Sequence, residues 1–254
     1  GVAGLSAAFI AKERGHEVTL YEAGDVLGGN MRLAAYPPGK GDITNMIRSY
    51  IHRCQKDGVK IVMNCEVTPE LIKEEKPDSV IIATGSRTLI LPIEGIDNPA
   101  IIHGSDLLDG KRPAGKKVLV VGGGMVGCET AAFLGEQEHD VTVIEFRDTV
   151  GADVIHEHRV YLMKDFEDYG IKEITGAKVC KFYEDGVEYE TADGVRHESR
   201  GYDSVILSMG FRNYNPLEEK IKDLVPETHV IGDAIRARRA LDATKEAYEV
   251  ASRI

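Results

Sequence analysis

The chain has 254 residues, 43% of them hydrophobic, and a formal net charge of −11. That apolar content supports a packed core and excludes bulk disorder, and at about 100–200 residues per domain the length allows one large or two small domains. The acidic balance argues against a nucleic-acid-binding surface, and no run reaches the ~18 apolar residues of a membrane-spanning helix.

In chain order, residues 5–12 are predicted as a helix and 17–21 as a strand. Gly28-Gly29-Asn30 and Pro37-Pro38-Gly39 punctuate a loop. Ile43, Ile47, Tyr50 and Ile51 give helical spacing over 43–56. A strand at 59–63 and a short helix over Pro69–Glu75 follow. The strand at 79–83 is wholly apolar, as a parallel sheet requires. Pro92, Gly95, Pro99, Gly110, Pro113 and Gly115 mark 92–115 as a connector between domains. Next come a strand at Lys117–Val121, a helix over Met125–Glu136 and a strand at 141–145. Residues 156–169 are predicted helical and 171–174 extended. Three short strands are then divided by hairpin signals at Glu184-Asp185-Gly186 and Ala192-Asp193-Gly194. A strand at 204–208 closes that stretch. The last strand, 228–234, runs into Gly232-Asp233, and a helix follows with Leu241, Thr244, Tyr248 and Ala251 on one face.

The chain repeats itself. GVAGLSAAFIAKERGHEVTLYEA from Gly1, shifted by 123, falls on GMVGCETAAFLGEQEHDVTVIEF from Gly124. Gly1 meets Gly124, Gly4 meets Gly127 and Glu22 meets Glu145. DSVIIATGSR from Asp78 returns as DSVILSMGFR from Asp203. Coincident glycines, strand residues and terminal acids imply an α/β chain of two Rossmann-like dinucleotide-binding domains, the second inserted in the first. The expected division is 1–109 with 226–254 for the first domain and 110–225 for the second. The first copy has no counterpart of Lys117–Val121 or Gly122, so the chain is expected to be a fragment of a longer one.

Gly122-Gly123-Gly124-Met125-Val126-Gly127 satisfies G-x-G-x-x-G between a strand and a helix. Gly122 permits the turn, Gly124 admits a pyrophosphate and Gly127 lets helix and sheet approach, while the helix N-terminus offers free N–H groups. Glu145 ends the next strand, where a carboxylate binds ribose hydroxyls and repels a 2′-phosphate, so NADH is expected over NADPH. Arg147 is either a solvated cation or a group that turns inward to accept that phosphate. Gly1, Gly4 and Glu22 form the same device in the first copy. Gly28-Gly29-Asn30 is either a simple loop or part of that site. Thr84-Gly85 and Met209-Gly210 end parallel strands, where ligands of such sheets lie. Asp233, after Gly232, is a helix N-cap or a flavin ligand, and the paired nucleotide units favour the flavin.

Cys54, Cys65, Cys128 and Cys180 form no CxxC pair, which argues against a zinc site and a dithiol centre and fits a reducing cytoplasm. The histidines show no metal-ligand or triad spacing, so no metal ligand and no catalytic side chain is assigned.

On these residues the chain resembles the two-dinucleotide-binding-domain flavoproteins. More narrowly, it is similar to the C-terminal FAD/NAD(P) portion of the 2,4-dienoyl-CoA reductase, enoate reductase and trimethylamine dehydrogenase family. The carrying stretches are LGGNMRLAAYPPGKG at 27–41, DSVIIATGSR at 78–87, VVGGGMVGCETAAFL at 120–134, TVGAD at 149–153 and residues 229–234. The resemblance implies a longer NADH:flavin oxidoreductase in which electrons pass from NADH to FAD, then to a 4Fe-4S cluster and FMN on an N-terminal barrel, and finally to an unsaturated substrate. It implies FAD at Gly4, Glu22, Asn30, Thr84 and Asp233, and NADH at Gly122, Gly124, Gly127 and Glu145. Asn30 stands where many relatives have Gln. Without its opening strand the first unit is expected to hold FAD poorly. A non-catalytic ADP-binding module and a pyridine-nucleotide disulfide reductase are the alternatives, the latter lacking its cysteine pair here.

Overall fold

The structure is a computed structural model that describes residues 1–254. Its first elements are α1 (Val2–Glu13), β1 (Thr19–Tyr21), α2 (Asp42–Lys56), β2 (Lys60–Val62), α3 (Pro69–Glu75), β3 (Ser79–Ile82) and β4 (Ser86–Thr88). The middle of the chain forms β5 (Ile102–His103), α4 (Gly104–Leu108), β6 (Lys117–Val121), α5 (Met125–Glu136), β7 (Asp140–Ile144), α6 (His156–Asp168) and β8 (Lys172–Ile174). Then follow β9 (Lys178–Tyr183), β10 (Gly186–Glu190), β11 (Arg196–Ser199), β12 (Ser204–Leu207), β13 (Phe211–Asn213), α7 (Glu218–Ile221), β14 (Glu227–Val230) and α8 (Ala240–Ala251). A 3-10 helix occupies Gly29–Ala35, where the glycine-rich sequence reads as loop.

The chain divides into two compact units. Unit 1 comprises Gly1–Ala35, Gly41–Arg87 and Phe211–Ile254, and unit 2 comprises Tyr36–Lys40 and Thr88–Gly210.

Unit 2 is built on one parallel sheet, in the order β5-β12-β6-β7-β8. Its central strand β6 reads KVLVV with four of five residues buried, the composition of a strand covered on both faces. Helix α5 packs Cys128, Ala131, Ala132 and Leu134 against Val118, Val120 and Val143. An antiparallel meander β9-β10-β11 carries the two hairpins.

Unit 1 has a sheet in pieces. β1 pairs with β2 in parallel, β3 pairs with β14 in parallel, and β1 and β3 belong to separate ribbons. In unit 2 the equivalents of β1 and β3 by the repeat are β7 and β12, and both pair with β6. Helix α1 packs on both ribbons: a Cβ on Gly4 would lie 3.4 Å from Ala83 Cβ and 3.6 Å from Leu20 Cδ1.

Two expectations need correction. The stretch 92–115 is no bare connector: Ile101, Ile102, Leu107 and Leu108 are buried, and β5 is the edge strand of the unit 2 sheet. Unit 1, in turn, recovers the chain at Phe211, because Leu217, Ile221 and Val225 pack on Ile72, Ile82 and Ala234. The changeovers therefore lie at 87/88 and 210/211 rather than 109/110 and 225/226. On α8 the buried face is Ala243, Ala247 and Ala251, and Leu241 and Tyr248 are 76% and 62% exposed. The small alanines sit inward because α8 approaches closely: a Cβ on Gly232 would already be 3.3 Å from Ala243 Cβ.

Candidate functional site

In unit 2 the turn after β6 excludes side chains. Gly122 has φ +104°, and a Cβ there would lie 2.5 Å from Ser208 O. A Cβ on Gly127 would lie 1.8 Å from the Gly122 carbonyl oxygen, so α5 can reach the turn only with glycine there. Gly124 precedes α5 with no side-chain cap, and Cys128 N–H donates to Gly124 O at 2.9 Å. The N–H groups of Met125, Val126 and Gly127 thus have no acceptor within the helix, and they point at the end that carries positive partial charge. Glu145 accepts the Gly123 N–H at 2.6 Å and the Arg147 N–H at 2.9 Å, one bond to each carboxylate oxygen, which leaves acceptor capacity on both. Arg147 is exposed, and Gly210 has φ +96° with its carbonyl accepting Leu89 N–H at 2.9 Å.

Unit 1 repeats this arrangement around Glu22. Its Oε1 accepts the Gly24 N–H at 2.9 Å, as Glu145 accepts Arg147 two residues on. The Gly1 amino nitrogen lies 3.8 Å from Glu22 Oε2. Gly29 has φ +55°, and a Cβ there would stand 3.0 Å from Gly1 Cα. Asn30 Nδ2 donates to the carbonyl and hydroxyl oxygens of Ser86 at 3.3 Å each, and Ser86 Oγ donates to Asp233 Oδ2 at 2.9 Å. Asp233 Oδ1 accepts the Arg238 N–H at 3.0 Å. Asp233 stands in a 3-10 turn over Gly232–Ala234, and α8 begins only at Ala240 after Arg239, so the expected placement of Asp233 at a helix start does not hold. Thr84 Oγ1 donates to Tyr214 O, and Gly85, with φ +75°, accepts the Tyr214 N–H at 2.9 Å.

Several residues escape sequence reasoning. Ser86 joins Asn30 to Asp233. Glu246 holds the Gly232 turn, accepting the Gly232 N–H at 2.7 Å and the Arg238 guanidinium at 2.5 Å. In unit 2, Asp153 Oδ1 accepts the Met125 N–H at 2.9 Å. Glu129 on α5 is buried, ion-paired with Lys40, and His158 Nε2 lies 3.9 Å from it. None of these contacts follows a helix or strand period, because the partners lie eight or more residues apart and meet only through the fold.

Paired glycine-turn units, each with a carboxylate just past the second strand, define a two-dinucleotide-binding flavoprotein. The family model described as pyridine nucleotide-disulphide oxidoreductase matches residues 1–231. The chain belongs to the pyridine nucleotide-disulphide oxidoreductase family. It is 34% identical to an NADH oxidase of Thermoanaerobacter brockii, covering 100% of this chain and 40% of that protein. It is 33% identical to a cinnamate reductase of Clostridium sporogenes, covering 100% of this chain and 38% of that protein. The structure of a 2-naphthoyl-CoA reductase complex superposes with a TM-score of 0.95 at 32% identity, covering 100% of this chain and 38% of that one. The chain thus spans about two fifths of the relatives it matches, and corresponds to the FAD/NAD-binding portion of dienoyl-CoA reductase-like enzymes.

Proposed function

We propose that unit 1 holds FAD, that unit 2 holds NADH, and that the chain is the electron-input module of a longer flavoenzyme. The observation that carries this is the repeated carboxylate, Glu22 and Glu145, each braced by a backbone N–H two residues on, beside a unit 2 glycine turn in which a Cβ on Gly122 or Gly127 would lie 2.5 or 1.8 Å from a carbonyl oxygen. Both cradles fit their groups. Gly122, Gly124 and Gly127 keep their own side chains from a pyrophosphate, Val126 offers its N–H to it, Met125 does so once Asp153 turns away, and Glu145 takes ribose hydroxyls. In unit 1 the same tasks fall to Gly1, Gly4, Gly29 and Glu22, with Asn30, Thr84, Gly85, Gly232 and Asp233 supplying the polar wall of the flavin site. Gly210, in the turn that follows β12, would border the nicotinamide nucleotide. When bound, the two cofactors supply hydride transfer from nicotinamide to flavin, so the protein binds and orients and needs no side-chain acid or base.

The finer reading concerns the whole enzyme. Electrons would leave FAD for an iron–sulfur cluster and FMN on a barrel domain and reduce an enoyl- or dienoyl-type substrate; relatives named as reductases of cinnamate and 2-naphthoyl-CoA support the substrate class. No helix is long and apolar enough to cross a membrane, and four free cysteines support a cytoplasmic location. A disulfide-reductase reading is disfavoured because Cys54 and Cys128 are buried, with thiols pushed up to about 11 and about 12 by desolvation.

The test is anaerobic addition of NADH, with NADPH in parallel, to the chain in excess FAD, followed by flavin absorbance. Bleaching by NADH and much slower bleaching by NADPH is the expected result. Bound FAD that NADH leaves oxidised overturns the reading, and retention of ADP in place of FAD assigns a structural nucleotide module.

A further inference from the structure

The carboxylate of Asp153 sits at the end of α5 that the reading above gives to the cofactor's phosphates. Its Oδ1 accepts the Met125 N–H at 2.9 Å. Its two oxygens are the atoms nearest to a Cβ built on Gly124, at 3.3 and 3.5 Å. Met125 is the first residue of a 12-residue helix, where unbonded N–H groups and the dipole attract negative charge. One side chain of the protein therefore already supplies the charge and takes one of the donors that a pyrophosphate would use.

The loop that bears it is fastened on both sides of the carboxylate. Gly151 N–H donates to Gly123 O at 2.7 Å. Arg159 donates to Thr149 Oγ1 at 2.8 Å and to Val150 O at 3.1 Å. Val150 and Val154 are buried, whereas Ala152 and Asp153 are exposed. Rotation of one exposed side chain frees the Met125 N–H, and no rearrangement of the anchored backbone is needed.

We propose that Asp153 is an internal stand-in for the phosphate of the dinucleotide, and that it tunes affinity at unit 2 by competing with it. This rests on the reading of unit 2 as the nicotinamide-nucleotide site. An incoming pyrophosphate repels the carboxylate and takes its donor, so the apparent affinity is lowered by the fraction of molecules in which Asp153 is engaged. A ligand without phosphate meets no such competitor.

The test uses the 254-residue chain and its Asp153→Ala and Asp153→Asn variants, titrated calorimetrically with ADP-ribose and with adenosine. Losing a helix cap is equivalent to between about two- and thirty-fold in an equilibrium constant. Asp153→Ala is expected to bind ADP-ribose more tightly by a factor in that range, with adenosine unchanged. Asp153→Asn keeps an acceptor but loses the charge, and is expected to fall between. Ligand-free Asp153→Ala should melt earlier than wild type, since the cap is gone. Unchanged or weaker ADP-ribose binding in the folded variants overturns the inference while the wild-type titration upholds the site, and so does a gain shared equally by adenosine. Binding of neither ligand by the wild type overturns the site reading and the inference with it. If Asp153→Ala fails to fold, the Asp153→Asn comparison decides on the same readout.

Discussion

Cys54 and Cys128 donate to the carbonyls of Leu5 and Gly123 at 3.4 and 3.2 Å, and neither is exposed to solvent. Burial raises their thiols to about 11 and about 12, while a thiol in an unfolded chain ionises near about 8.5. Above that pH the unfolded chain releases protons that the folded chain keeps. The stability lent by the two protonated thiols is therefore complete below about pH 8.5 and is lost as pH rises toward 11 and 12. Melting temperature should fall between about pH 8 and about pH 10, with a shallower slope in Cys128→Ala; equal slopes would refute the assignment. Glu145 offers a second test at this scale. Its carboxylate keeps acceptor capacity after bonding Gly123 and Arg147. Glu145→Gln should weaken NADH about ten-fold or more and narrow the gap to NADPH, since hydrogen bonds to charged groups are worth about 1.5–3 kcal/mol. Dissociation constants for both nucleotides would show it.

Helix α5 carries Glu129 into unit 2, where the side chain is 7% exposed and pairs with Lys40. Lys40→Met leaves that carboxylate with only His158, 3.9 Å away. The loss should be about 3 kcal/mol, because breaking a buried pair strands a charge. Adding Glu129→Gln should recover most of it, and a denaturation cycle with no coupling between the two sites would contradict the pairing. Elements differ in how legible they are in the sequence. β6 and α5 are predicted at their observed bounds because an unbroken apolar run meets a glycine turn. β5 and α4 stay hidden inside 92–115, since two-residue strands have no period and prolines and glycines surround them. The face of α8 misleads because the largest apolar side chains, Leu241 and Tyr248, point outward while alanines fill the tight contact. Around the candidate site, the glycine turns and the two terminal carboxylates stand out through the internal repeat. Ser86, Asp153, Glu129 and Glu246 do not, because tertiary approach alone makes their contacts.

Each hydrophobic cluster of the molecule draws on one unit alone: Val118, Cys128 and Leu119 belong to clusters of unit 2, and Ala3, Ile72 and Phe9 to clusters of unit 1. If ADP-ribose binds unit 2 as proposed, it should raise one of two calorimetric transitions and leave the other in place; a common shift would show a single cooperative unit. Unit 1 carries the weaker frame, since β1 and β3 lie in separate two-stranded ribbons, each with an edge that lacks ladder partners. Gel filtration should therefore leave FAD well below one per chain while ADP-ribose still titrates to one site, and full FAD retention would count against this. The strap Tyr36–Lys40 limits how this protein can be taken apart. It counts with unit 2 although its neighbours in sequence count with unit 1, and it brings Tyr36 within 6.5 Å of the Phe133 ring as well as Lys40 to Glu129. A transplant of residues 88–210 into another scaffold would carry the acid and leave its cation behind. Such a graft needs Glu129→Gln, or a borrowed lysine, before it can stand as a portable nucleotide-binding part.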